Sequence, residues 1–218
     1  MAQTGSMLNA ANNQLSHYPS RPSGMSDELY ELGYSGTSSS NIAMTSWRSS
    51  LLKSLMMWMD DSDSSNIDRL GHRRWILNPT MQQTGFGYAV SNSGAAYSSV
   101  YVFDYDRHNM DVTGVAWPAM VMPKRYFDSS SAWSYSYGSS LNGNVSVKLQ
   151  CLTTGRERTW NFSSAASDGY FNVDNGGYGQ KGCVIFKPDS ISIQAGEDYE
   201  VTITQDVAVI ADYTVHFF

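Results

Sequence analysis

Apolar positions along the chain follow two periods, and the change between them falls near residue 80. Met7, Ala11 and Leu15 recur at i, i+4 and i+8, which predicts a helix that Pro19 and Pro22 end. Trp47, Leu51, Leu55, Trp58 and Met59 share one helical face, predicting a stronger helix over about 47–59. The Asp/Ser-rich run 60–65 stops it. A short third helix over 67–77 ends at Asn78-Pro79, because a residue before proline is biased out of the α region. From Gly85 the period is two. Phe86, Tyr88 and Val90 alternate, and 97–104 is a dense β-branched and aromatic run. Residues 128–143, rich in Ser, Tyr and Gly, read as a linker. Beyond them Val145, Val147, Leu149 and Cys151 alternate, as do Tyr199, Val201 and Ile203, then Tyr213, Val215 and Phe217. Turn signals such as Asp174-Asn175-Gly176-Gly177 separate these runs, the pattern of a small antiparallel sandwich.

Composition adds limits. The 218 residues are 41% hydrophobic and 13% aromatic, enough for one large core or two modest ones, and only 16% are charged. A net charge of -6 repels phosphate backbones, and no Lys/Arg cluster exceeds three residues, so nucleic acid is excluded as a partner. No stretch approaches the roughly 20 apolar residues that cross a bilayer. The first residues carry neither the basic region nor the apolar run of a signal peptide. The expectation is therefore either a cytosolic protein or an exported one whose leader has been removed. Low Lys with high Ser, Thr, Tyr and Asn favours export. Cys151 and Cys183 allow at most one bridge, so the alternatives are a disulfide within the β-region or two buried thiols.

Four local features occur in order. The first is Gln14-Leu15-Ser16-His17, a histidine at the end of a helix, and the second is Ser39-Ser40-Asn41-Ile42-Ala43. The third is the amphipathic helix ending in Trp58-Met59-Asp60-Asp61. The fourth is Leu70-Gly71-His72-Arg73-Arg74-Trp75-Ile76-Leu77-Asn78-Pro79, followed by Gly85-Phe86-Gly87-Tyr88. In this order they resemble the CAP superfamily of cysteine-rich secretory, antigen and pathogenesis-related proteins, in its bacterial SCP-like extracellular branch. The 71–79 match is the most specific, and the resemblance covers residues 1 to about 128. The family's N-terminal helix usually begins further upstream, so the chain reads as a truncated or processed product.

The resemblance implies an α-β-α sandwich whose cleft gathers two histidines and two acids. Carried over, the histidines are His17 and His72, and the acid ending the central helix is Asp61, with Asp60 as the nearby alternative. The family's other acid lies in a Gly-Glu-Asn motif. Here Ser39-Ser40-Asn41 stands in its place, so Ser40 replaces the glutamate and Asn41 keeps the asparagine.

The chemistry open to this set is narrow. Imidazoles bind metals through a neutral nitrogen, and His17, His72 and Asp61 would supply the three ligands of a catalytic zinc. No His-Glu-x-x-His helix is present. Alternatively, both histidines hydrogen-bond loop backbone and hold the cleft's shape. The 60–68 run fails as a calcium loop: Asn66 takes the glycine position, and the twelfth residue is His72 instead of a glutamate. A helix-capping loop fits it better. Asp104, Asp106 and His108 read as a turn. Ser40 lacks a Gly-x-Ser-x-Gly elbow, which argues against a serine hydrolase. Trp47, Trp58, Trp75, Trp117 and Trp133 are core candidates, although aromatics exposed at a cleft would suit a sugar or lipid face.

The resulting expectation is an α+β chain with a CAP-type α-β-α sandwich over 1–128 and a small Ig-like β-sandwich over 129–218, each with its own core. The leading function is extracellular or cell-surface binding of a small molecule, lipid, wall glycan or peptide, with the β-domain as spacer or adhesion module. The alternatives are a metal-assisted, peptidase-like hydrolase using His17, His72 and Asp61, and a structural protein with an inert cleft. No cofactor is required; a divalent metal such as zinc is the one the set admits, and the missing glutamate implies weak zinc binding or none.

Overall fold

The computed structural model describes residues 1–108, 112 and 114–218. Among them are four α-helices and twelve strands in three sheets, an α+β fold. The chain forms two compact units. Met1–Met59 with Trp75–Met110 make the first, and Asp60–Arg74 with Asp111–Phe218 make the second.

In the first unit the antiparallel sheet has the order β1-β3-β2, formed by β1 (Ser40–Thr45), β2 (Phe86–Val90) and β3 (Ala96–Tyr101). Successive side chains of a strand point to opposite faces, and two neighbouring serines of β3 mark the layers. Ser99 accepts a hydrogen bond at 3.0 Å from Ser6 of α1 (Ala2–Asn12). Ser98 accepts one at 3.0 Å from Ser54 of α3 (Leu51–Asp60). Helices therefore cover both faces. On the α3 side Ala43, Trp58, Val100 and Val102 form the core, with Leu55, Trp75 and Ile76 packed against it.

The other side is built from small residues. α2 (Asp27–Ser38) packs on α1 so closely that a Cβ on Gly36 would fall 2.3 Å from the Met1 carbonyl oxygen. A Cβ on Gly87 of β2 would lie 2.2 Å from the Ala2 carbonyl oxygen. The buried side of α1 is Ala2, Gly5, Ser6, Leu8, Asn9 and Ala10. The expected stripe of Met7, Ala11 and Leu15 faces outward, because this interface needs small side chains more than apolar ones.

Other boundaries move for local reasons. Trp47 and Arg48 have left-handed φ values of 46° and 48°, so the expected helix 47–59 begins only at Leu51. Trp47 is not in the core: it is 77% exposed, with its ring over Gly94. The expected helix 67–77 contracts to α4 (Gly71–Ile76), because Leu70 is left-handed at φ 48°.

The second unit is a pair of sheets. One has the order β4-β6-β10-β9, from β4 (Val115–Trp117), β6 (Trp133–Ser136), β9 (Gly169–Asp174) and β10 (Cys183–Pro188). The other has the order β5-β12-β11-β7-β8. Its members are β5 (Val121–Met122), β7 (Val145–Cys151), β8 (Arg158–Ser163), β11 (Asp198–Gln205) and β12 (Ala208–Phe217). All pairs are antiparallel except β5 with β12. Trp133 is fully buried, its ring 5.6–5.9 Å from those of Phe127, Phe186, Tyr199 and Phe217. The stretch read as a linker is thus central: β6 alternates Trp133 and Tyr135 with buried serines. Cys151 and Cys183 lie in different sheets as free, buried thiols, and burial pushes the Cys183 thiol up. Among the described residues no helix is long and apolar enough to cross a membrane.

Candidate functional site

Where α3 ends, Asp61 takes a left-handed φ of 48° and turns the chain, a conformation that aspartate tolerates better than most residues. Its buried carboxylate then meets the start of α4, whose first amides have no acceptor within the helix. Oδ2 accepts from the backbone N–H of His72 at 2.9 Å and of Arg73 at 3.3 Å. Oδ1 lies 2.8 Å from Nδ1 of His72. A carboxylate only accepts, so Nδ1 carries a proton and donates it to Asp61. The His72 side chain is 31% exposed. One acid therefore caps the helix, fixes the tautomer and aims the imidazole.

Arg73 and Arg74 anchor the same turn within the second unit. Arg73 is fully buried and donates to the Ala132 carbonyl at 2.8 Å, to the Ser134 hydroxyl at 3.1 Å and to the Asp60 carbonyl. Burial pulls its pKa down to about 10, with Asp61 and Asp60 opposing the shift, so it keeps its charge at neutral pH. Arg74 pairs with Asp174 and donates to the carbonyls of Arg69, Gly176 and Gln180. Its guanidinium lies 5.2 Å from the Tyr178 ring centroid.

His17 belongs to the first unit. It is exposed, and its Nδ1 lies 2.8 Å from the Thr37 carbonyl while the Thr37 hydroxyl donates to the His17 carbonyl at 3.0 Å. Here too Nδ1 is the donor, since a carbonyl only accepts. Beside it runs a row of tyrosines. The Tyr18 ring is 6.4 Å from His17, Tyr34 is 6.0 Å from Tyr18, and Tyr30 is 5.8 Å from Tyr34. Tyr18 is 72% exposed. Sequence reasoning missed this row, although the spacing of Tyr30 and Tyr34 on one helix signals adjacent rings.

Ser40 and Asn41 open β1, opposite Tyr101 and Val100, and both are buried. Among the described residues the Ser40 hydroxyl has no hydrogen-bond partner.

A zinc site drawn from His17, His72 and Asp61 does not fit this donor chemistry. Asp61 already receives three N–H donors and acts as the orienting partner of an imidazole, the outer-shell role that carboxylates take in metal sites. Two histidines remain, fewer than the three protein ligands of a catalytic zinc. Among the described residues no group of three or more His, Cys, Asp and Glu side chains is arranged to hold a metal. The other polar clusters are turns. Asp63 accepts from Ser65 and from Asn66 at 2.9 Å, and these bonds lower its pKa. Asp104 accepts from the amides of Gln82 and Gln83 at 2.6 and 2.8 Å.

Compared with known families, residues 1–105 match the one described as "CAP: Cysteine-rich secretory protein family". Comparison with curated proteins and with solved structures gives no match.

Proposed function

Residues 1–105, just under half of the chain, match the CAP cysteine-rich secretory protein family, and from that premise we propose that the chain is an extracellular bacterial binding protein of this type. The residues proposed to serve binding are His17, the His72–Asp61 pair, Ser40 and Asn41, and the ligand is a small molecule, lipid, wall glycan or peptide. The division into a CAP domain over 1–128 and an Ig-like β-domain over 129–218, acting as spacer or adhesion module, belongs to the same proposal.

The observation that carries it is the tyrosine row next to His17, in which Tyr18 and Tyr34 are exposed while half-buried Tyr30 donates its hydroxyl to the Pro19 carbonyl and backs them. Adjacent exposed rings offer flat apolar faces and hydroxyls together, which suits sugars and peptide side chains. The metal-assisted hydrolase is the weaker reading, since Asp61 is committed to His72 and α4. Calorimetric titration of the full chain with N-acetylglucosamine oligomers, muropeptides, lipid vesicles and short peptides tests the proposal. It expects saturable binding to one class and at least about a tenfold loss in Tyr18→Ala/Tyr34→Ala, corresponding to about 1.4 kcal/mol. No binding to any class, or binding untouched by the double substitution, would overturn it.

A further inference from the structure

α4 has six residues, fewer than two turns, and helices this short have little stability of their own. What fixes the direction of His72 must therefore come from the contacts around it. Asp61 supplies one. The others reach into the second unit's strands and the loop after β9. Arg73 reaches the start of β6 through Ala132 and Ser134. Arg74 reaches Asp174, Gly176 and Gln180. The loop closes round the helix from the other side: Tyr178 lies under Arg74, and its ring stands 3.2 Å from where a Cβ on Gly71 would be. The loop is itself pinned, because Asn175 accepts from the Leu141 amide at 2.8 Å and donates to the Leu141 carbonyl at 3.0 Å. Apolar packing follows the same path, with Leu70 beside Ala132, Cys183 and Ile185.

We propose that Arg73, Arg74 and Asp174 are positioning residues, and that the β-strands and the 174–180 loop set the orientation and tautomer of His72. The β-domain is then part of the site's scaffold and more than a spacer. This rests on the proposed function only in treating His72 as a site residue. The test reads the imidazole without any ligand, so its failure is distinguishable from failure of the binding proposal.

The full chain, with 15N-labelled histidine, is examined by NMR at a pH where the His72 ring is neutral. The unaltered protein should show a single Nδ1–H tautomer for His72. Arg74→Met and Asp174→Asn should lose that signature, giving mixed tautomers, while Arg74→Lys keeps the charge without the fork and should restore it in part. Val201→Ala, a cavity in the β-sandwich core far from these contacts in sequence, should lower stability and leave the tautomer unchanged. If Arg74→Met fails to fold, Asp174→Asn, at a partly exposed position, gives the same reading. An unchanged signature in Asp174→Asn, or equal loss in Val201→Ala, would overturn the proposal.

Discussion

Asp61 is the residue on which most of the local geometry depends, and its two jobs can be separated. Asparagine tolerates the left-handed φ and keeps an acceptor oxygen, so Asp61→Asn should lower stability modestly. Asp61→Ala adds backbone strain and leaves the His72 and Arg73 amides unpaired, and should cost about 2–4 kcal/mol in urea denaturation. Equal losses in the two variants would refute the capping role. Ser40 behaves in the opposite way. Its buried hydroxyl bonds to nothing among the described residues, so Ser40→Ala should be neutral or stabilising by up to about 1 kcal/mol, whereas Ser40→Glu buries a carboxylate and should destabilise. The motif containing His72 was legible in the sequence, as was the acid before it. The partners of Arg73 and Arg74 were not, because Ala132, Ser134, Asp174 and Gln180 lie some sixty to a hundred residues away and no local pattern marks a carbonyl as an acceptor.

At the scale of elements, strands were easier to read than helices. The runs 145–151 and 199–203 alternate strictly because one face of each meets a core, and they fall within strands; 86–90 is also a strand, but its alternating Phe86 and Val90 are exposed and Gly87 is its buried position. α2 escaped apolar counting, and α1 was read from a stripe that faces outward, because their contact is made largely at Gly5, Gly33 and Gly36. The signal of α2 lies at its start, where Ser26 accepts from the Leu29 amide and Asp27 and Glu28 occupy the first turn. β6 was obscured in the same way by serine. Close helix contact has a measurable consequence. Gly36→Ala would press a methyl into the Met1 carbonyl and should destabilise by about 1–3 kcal/mol or more, although alanine favours helices. A thermal melt showing stabilisation would mean that the helices do not approach this closely.

At the scale of the whole molecule, two bulk properties follow. Cys151 and Cys183 are buried in separate sheets, so the folded chain should react slowly with a thiol reagent and, once unfolded without reductant, should yield two thiols. Recovery of none would establish a bridge. Asp63, Asp104 and Asp128 have folded pKa values below the usual 3.8, lowered mainly by hydrogen bonds from Asn66 and Ser65, from Gln83 and Gln82, and from Ser130. Depressed acids contribute stability that is fully present above the unfolded pKa and lost as pH falls through the folded values. Urea stability should therefore hold to about pH 5 and decline below about pH 4, by a modest amount because all three groups are largely exposed. A decline beginning near neutrality would point to another group.

The central proposal, that His17 and His72 both take part in ligand binding, has a test with its own controls, since the chain holds four histidines. With 13C-labelled histidine, the ring signals of His17, His72, His108 and His216 can be followed together while the ligand class found by calorimetry is added. The expected result is that His17 and His72 shift along one saturation curve while His108 and His216 stay in place. Movement of only one of the two, or of all four without saturation, would contradict a binding role for both.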